Sequence, residues 1–223
     1  MGQRHQIYLA LPHCNLCNGT GIYPDMKARP SCNGCAGKGH PYGKVVGLHH
    51  QWLYGTLPPH FLGRVFQFIK NSDAHLNQAL TNGFENPAEV LKAIYQCDPS
   101  EGYYHSLSPL EDECADPRLG DNNDGITVID LRDPKSVGYC FMFFDRPDRS
   151  VAPLTPLTAK QYVEAYYPPT PFASHSRPDK KRIEEVIAAV DDVLIEGQPA
   201  RLLTVEDLAA IFPAMADAFK VLQ

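Results

Sequence analysis

The pattern of apolar and polar positions predicts four strands, which fall into two pairs. The clearer pair consists of segments 126–131 and 138–144, both rich in β-branched and aromatic residues. Asp133-Pro134-Lys135-Ser136 lies between them and is typical of a turn. We therefore expect these two segments to form a hairpin.

The other pair flanks a stretch rich in glycine and cysteine. Segments 6–11 and 44–49 have β-type composition, and each borders that stretch directly. We expect them to pair as a hairpin as well. Residues 12–42 would then form an insert at the tip of this first hairpin rather than a separate terminal domain.

Apolar residues at helical spacing predict six helices. Pro58-Pro59 suits the first turn of one of them. Two others begin at capping-box patterns, Thr158 with Gln161 and Thr204 with Asp207. Pro213 interrupts or restarts the last helix. The predicted helices are the segment from Pro58-Pro59 through Ile69 and the segments 72–80, 87–96, 159–167, 179–195 and 205–212.

These elements predict an α+β fold, an antiparallel sheet of about four strands with helices packed on one face. We expect residues 1–223 to form a single domain that carries the insert 12–42. Four prolines in residues 168–178 indicate a linker or arm. Residues 179–223 are expected to form a C-terminal helical segment.

Composition excludes several broad classes of protein. Hydrophobic residues make up 43% of the 223 residues and charged residues 21%, which is typical of a globular protein rather than a disordered one. No apolar run approaches the roughly 18 residues needed to cross a bilayer, and the N-terminus lacks the pattern of a signal peptide. Seven cysteines, an odd number, argue against a paired disulfide framework. We expect an intracellular, reducing compartment: the cytoplasm or, for a viral protein, the virion.

Charge is divided unevenly along the chain. The formal net charge is −6, but residues 1–50 contain five basic residues and one acidic residue. Residues 101–133 contain nine carboxylates and two arginines. An acidic whole argues against broad coating of nucleic acid, whereas the basic N-terminal part leaves a local anionic partner open.

The strongest motif is a pair of C-x-x-C-x-G-x-G repeats. The first contains Cys14 and Cys17, and the second contains Cys32 and Cys35. Two such knuckles place four thiolates around one Zn²⁺, and the glycines allow the chain to turn sharply after each knuckle. A redox dithiol pair or an iron–sulfur site is the alternative; the duplicated glycines and the lack of further cysteines nearby favour one structural zinc ion.

Residues 14–39 resemble the cysteine-rich zinc domain of DnaJ-type chaperones, which is built from the same repeat. That domain has four repeats and two zinc ions, whereas this chain has two repeats, enough for one ion. The His-Pro-Asp tripeptide that marks the J domain is absent. The resemblance therefore implies a one-zinc relative of the module, a rigid hairpin that contacts proteins. Segments 1–8, 49–55 and 121–125 resemble only stretches of uncharacterised proteins, from which no function is carried over.

Other candidate residues fall into two groups. Lys27 and Arg29, with Tyr23 nearby, form a basic, aromatic loop between the knuckles that would suit phosphate pairing and base stacking; a solvated loop is the alternative. His49 and His50 stand close to Trp52, and on a strand they face opposite sides. They suggest either a binding or acid–base site or a Trp-centred core.

The acidic loop gives a weaker signal. Asp121 and Asp124 fail the spacing of a calcium loop, and they fit a turn before a strand better. Together with Asp130 and Asp133 they would be able to gather around a divalent metal. The loop is also the natural source of a carboxylate partner for His49 or His50.

Three functions follow from these residues. The sequence has no G-x-S-x-G, P-loop or G-x-G-x-x-G motif, which favours a non-enzymatic binding or assembly protein. Such a protein would contact a protein partner or a larger assembly through the zinc module and the Pro/Tyr-rich surface. The first alternative is a regulator that binds nucleic acid through residues 1–50. The second is an enzyme with a site formed by His49 or His50 and carboxylates of residues 121–133, such as Asp130. The oligomeric state is open.

Overall fold

The fold is described from a computed structural model. It describes residues 4–11, 22, 31, 45–51, 53–71, 107–109, 117, 124–133, 135–144, 153–168 and 177–220. The predicted helices 72–80 and 87–96 lie outside these residues, as do residues 169–176 of the predicted arm.

The described part of the chain contains eight strands and five helices. The strands, in chain order, are β1 (His5–Ala10), β2 (Val45–His50), β3 (Leu107–Pro109), β4 (Ile126–Asp130), β5 (Gly138–Met142), β6 (Leu194–Ile195), β7 (Gln198–Pro199) and β8 (Arg201–Leu202). The helices are α1 (Leu57–Asn71), α2 (Ala159–Tyr166), α3 (Lys180–Asp191), α4 (Val205–Ile211) and α5 (Ala216–Lys220), with a 3-10 turn at Pro213–Met215.

Both predicted hairpins are confirmed. β1 pairs antiparallel with β2, and Ala10 lies opposite Val45 at the end of the ladder from which residues 11–44 leave the sheet. β4 pairs antiparallel with β5. The backbone N–H of Ser136 donates to the carbonyl oxygen of Asp133 at 3.0 Å, which closes the predicted turn between β4 and β5.

The prediction of an antiparallel sheet of about four strands is confirmed only in part. Among the described residues, six strands form one mixed sheet in the order β3-β2-β1-β4-β5-β8. The central pair, β1 and β4, is parallel, and so is β5 with β8. Residue alternation identifies a strand but not its neighbour, and β3 and β8 are too short to carry a pattern. The mixture of helices and strands agrees with the predicted α+β class.

Helices cover both faces of the sheet, not one face as the sequence suggested. Alternate residues of β1 show this, because Ile7 and Leu9 pack with α1, α2 and α3, whereas Tyr8 and Ala10 pack with α4 and α5. We call these two sides the α1 face and the α4 face. Since both faces of β1 are buried, its sequence is apolar almost throughout.

The C-terminal segment is less helical than predicted. Both capping boxes are confirmed, Thr158 with Gln161 and Thr204 with Asp207. However, α3 ends at Asp191 instead of residue 195, and residues 194–202 supply three short strands. The hairpin of β6 and β7 turns at Glu196 and Gly197, both with positive φ, which is the backbone that a two-residue hairpin turn requires.

Helices α1 and α3 cross at Gly63. A Cβ atom built on Gly63 would lie 2.6 Å from the carbonyl oxygen of Ala189 and 2.8 Å from its Cβ atom. The close contact therefore depends on the missing side chain, because backbone of the neighbouring helix occupies that space.

We predict that Gly63→Ala lowers the free energy of unfolding by about 1–2 kcal/mol. Alanine gains about 1 kcal/mol of helix propensity over glycine, but overpacking against a buried backbone costs about 1–3 kcal/mol, and we expect the clash to dominate. Urea denaturation measures the difference, with the exposed Gln67→Ala as the control in the same helix. Adding Ala189→Gly should not restore stability, because the carbonyl oxygen remains. A Gly63→Ala variant as stable as the wild type would contradict this packing.

Candidate functional site

The cysteine-rich insert leaves and rejoins the protein at one end of the sheet. Ala10 and Val45 pair there, and the backbone N–H of Leu131 donates to the carbonyl oxygen of Ala10 at 2.8 Å. Leu11, the first residue of the insert's connection, is fully buried. The base of the insert is therefore fixed by strand pairing on two sides.

The insert contains one described pairing of its own. Ile22 and Ser31 form an isolated antiparallel bridge, so the chain reverses direction between the two C-x-x-C sequences. The four predicted zinc ligands, Cys14, Cys17, Cys32 and Cys35, lie outside the described residues, and so do Tyr23, Lys27, Arg29 and Trp52. Within the described part of the chain, no group of three or more His, Cys, Asp or Glu side chains is placed to hold a metal ion.

Cys140 is the one cysteine whose surroundings are described. It is free and fully buried against the α4 face. Burial raises the pKa of its thiol, and the protonated form is a poor metal ligand. Cys140 thus packs as a small apolar side chain.

His49 and His50 do face opposite sides of β2. His50 is buried and lies opposite His5 on the α1 face, whereas His49 is half-buried and lies opposite Gln6 on the α4 face. Partial burial, and to a smaller extent the nearby charge of Arg4, lowers the pKa of His49 below its ordinary value. Neutral imidazole is therefore favoured at this position.

Asp130 lies at the other end of the sheet from these histidines. His49 pairs with Gln6, which pairs with Ile126, while Asp130 pairs with Ala10. Four residue steps along a strand span about 13 Å. The structure therefore does not bring Asp130 together with His49 or His50.

Asp124, from the same acidic segment, does lie near the histidine end. Its carboxylate accepts hydrogen bonds from the backbone N–H of Arg4 and from the hydroxyl of Tyr166, both at 2.8 Å. Its carbonyl oxygen accepts one from the hydroxyl of Tyr162 at 2.7 Å. These contacts join the start of β1 and the start of β4 to α2.

His5 completes this buried cluster. Its Nε2 atom lies 2.7 Å from Oγ1 of Thr127, and its Nδ1 atom lies 3.3 Å from the carbonyl oxygen of Asp124. A hydroxyl next to an oriented imidazole is the arrangement of a nucleophile and its base. His5, Asp124 and Thr127 are each 0% exposed, so a substrate cannot reach them. Their hydrogen bonds instead hold β1, β4 and α2 together. Sequence reasoning missed His5; its only signal was a polar residue at the start of an apolar strand.

Asp130 is instead the centre of an ion-pair cluster on the α4 face. Nε and Nη2 of Arg132 donate to its two carboxylate oxygens, each at 2.8 Å. Nη2 of Arg201 lies 3.5 Å from Oδ2 of the same carboxylate. Arg201 also donates through both terminal nitrogens to Asp207. We call these four residues the Asp130 cluster.

Charge states in the Asp130 cluster follow from these contacts. The hydrogen bond to Asp130 raises the pKa of Arg132 above its usual value despite partial burial. Burial opposes ionisation of Asp207, but hydrogen bonds from Arg201 and Thr204 outweigh it and lower the pKa of that carboxyl. The cluster therefore consists of two fixed cations and two carboxylates near the base of the insert.

No family model matches the chain, and comparisons with curated proteins and with solved structures find no similar protein. The resemblance to the DnaJ-type zinc domain thus rests on the repeated cysteine motif alone. None of the helices among the described residues combines the length and apolarity that crossing a membrane requires.

We predict that the pKa of His49 lies below 6.5, its ordinary value, in an NMR titration of the folded protein. Because the folded pKa is depressed, the unfolded state binds more protons, and stability falls as the pH drops through about 6.5. His49→Gln should reduce this loss of stability. Arg4→Gln should raise the pKa of His49 only part of the way to its ordinary value, because burial lowers this pKa more than the charge of Arg4 does. A pKa at or above 6.5 would contradict the described burial.

Proposed function

We propose that this protein is a non-enzymatic binding or assembly protein whose zinc-stabilised insert contacts another macromolecule. The observation that carries the proposal is the pairing of β1 with β2, which holds both ends of the insert at one end of a buried sheet. An insert whose two ends are held together in this way would form a module of its own on the core. Such a module is suited to recognition by shape and side chains rather than to enclosing a substrate.

The zinc site fits this geometry. The bridge between Ile22 and Ser31 reverses the chain between the two knuckles, and Cys32 follows Ser31 directly. A reversal of this kind is what two C-x-x-C sequences need in order to share one ion. Four thiolate ligands would close the coordination sphere, which is typical of structural rather than catalytic zinc.

The surroundings of the other candidate residues support binding over catalysis. Acid–base chemistry requires hydrogen-bond reach between its groups, whereas Asp130 lies at the opposite end of the sheet from His49 and His50. The His5 cluster has suitable atoms in contact but is fully buried. A protein partner or larger assembly therefore remains our first candidate, with nucleic acid, held by Lys27 and Arg29, as the alternative partner.

We predict one zinc ion per chain in protein purified without chelator. Cys14→Ser and Cys32→Ser should each lose the ion, because removing one thiolate opens the tetrahedral site. Cys97→Ser and Cys114→Ser, which lie outside the repeats, are the matched controls and should keep it. Metal analysis by mass spectrometry gives the stoichiometry. Protein without zinc, or zinc retained in both knuckle variants, would contradict the proposal.

We also predict that the core folds without the insert but loses the partner. Since Ala10 pairs with Val45, replacing residues 12–43 by Asn-Gly would join Leu11 to Lys44 through a two-residue hairpin turn. This variant should unfold cooperatively in urea. Native purification of the wild type, the shortened variant and Cys97→Ser should recover the same partner with the first and third only.

The identity of the captured partner separates the alternatives. Capture of a protein supports the first candidate. Capture of a nucleic acid by the wild type, but not by a variant in which Lys27 and Arg29 are both replaced by Ala, supports the second. A partner that binds the shortened variant as well as the wild type would contradict a role for the insert.

A further inference from the structure

Two arginines from distant parts of the sequence converge on one carboxylate in the Asp130 cluster. Arg132 is the second residue after β4, and Arg201 belongs to the edge strand β8. The Nη2 atoms of both lie within 3.5 Å of Oδ2 of Asp130, at 2.8 Å for Arg132 and 3.5 Å for Arg201. The two guanidinium groups are therefore neighbours despite their like charge.

We propose that Arg132 and Arg201 form a clamp for a phosphate group. The clamp does not involve the cysteine-rich insert, because Arg132 lies just after β4 and Arg201 belongs to β8. The ligand is a phosphate oxyanion that accepts hydrogen bonds from both guanidinium groups at once.

Both arginines keep donors available for such a ligand. Arg132 uses Nε and one N–H of Nη2 on Asp130, so Nη1 has no partner among the described residues. Arg201 uses Nη1 and Nη2 on carboxylates, so Nε has none there either. Their side chains are 22% and 40% exposed, which gives an ion access from solvent.

The carboxylates orient the arginines from behind. The side chain of Asp130 is only 5% exposed and binds Arg132 through two parallel hydrogen bonds, a geometry that fixes the guanidinium plane. Asp207 is itself fixed, because it accepts from the backbone N–H of Thr204 in the capping box of α4. Arginines ordered in advance lose less conformational entropy when a ligand binds.

The strand between the two side chains, β5, carries a glycine at this point. Gly138 lies between Asp130 and Arg201 in the sheet, paired with both. A Cβ atom at Gly138 would approach Leu203 to 2.5 Å and the Cβ atom of Asp130 to 3.4 Å. With no side chain at this position, Leu203 packs over β5 beside Asp130.

The position of the cluster also suits a ligand. It lies at the carboxyl end of β4, next to the carboxyl end of the parallel strand β1. In open α/β sheets, ligands bind in the crevice outside the carboxyl ends of the parallel strands, and β1 and β4 present two such ends side by side. Phosphate is favoured over a carboxylate because its tetrahedral oxygens accept from two guanidinium planes at once, each of which matches phosphate geometry.

The test is a titration of the 223-residue protein, purified without chelator, with inorganic phosphate at constant ionic strength. Backbone and arginine Nε–H resonances report the site by NMR, and acetate is the control anion. We expect saturable shifts with phosphate at Leu131, Arg132, Arg201 and Leu202, and none there with acetate. Absence of saturable shifts at millimolar phosphate would overturn the proposal, and this outcome needs no variant.

Variants then assign the donors. Arg132→Lys and Arg201→Lys keep the charge but lose the planar fork, so each should raise the dissociation constant for phosphate at least tenfold. Arg182→Lys, an exposed arginine paired with Glu185 on α3, is the matched control and should leave it unchanged. Equal binding by folded Arg132→Lys, Arg201→Lys and wild type would show that the cluster is only structural and overturn the clamp.

A competition experiment identifies the source of the phosphate. A single-stranded oligonucleotide that reverses the phosphate-induced shifts of Arg132 and Arg201 would assign the site to a nucleic-acid backbone. Displacement by a nucleoside monophosphate, with no effect of the oligonucleotide, would assign it to a small phosphorylated ligand. Both results support the clamp and differ only in its partner.

Discussion

The parallel pairing of β1 with β4 is the interaction on which the rest of the structure depends. It joins residues more than a hundred positions apart, from Gln6 with Ile126 to Ala10 with Asp130. Both strands are buried on both faces, so each side of this pair supplies the apolar surface for a separate helical layer. The same pairing places the insert and Asp130 at one end and the histidines at the other.

Polar residues are buried at one end of the β1–β4 pair and partly exposed to solvent at the other. At the histidine end, His5, Asp124 and Thr127 are fully buried and hydrogen-bonded, which removes the cost of burying polar groups. These bonds also specify register, because a slip of one residue would turn His5 towards the α4 face. At the other end, the arginines of the Asp130 cluster keep contact with water, which leaves their charges available to a ligand.

Local features were predictable from the sequence and long-range ones were not. The two hairpins and the capping boxes at Thr158 and Thr204 follow from residues close together in the chain. The parallel β1–β4 pair and the second helical layer depend on contacts across most of the chain, which alternation cannot specify. Asp130 was identified as a candidate carboxylate, but Arg201 was not, because a two-residue strand carries no pattern. The cysteine ligands remain a prediction, since they lie outside the described residues.

Anchoring the insert by a hairpin has an entropic cost that a metal ion within the insert would reduce. The pairing of Ala10 with Val45 closes segment 11–44, and the length-dependent cost of closing a loop of this size is about 3 kcal/mol. The Ile22–Ser31 bridge divides that loop into shorter segments. A zinc ion joined to both knuckles would shorten the free segments further and lower the closure cost of the β1–β2 register. We therefore infer that zinc would stabilise the insert directly and the first hairpin through it, while the buried β1–β4 pair holds the core independently of the metal.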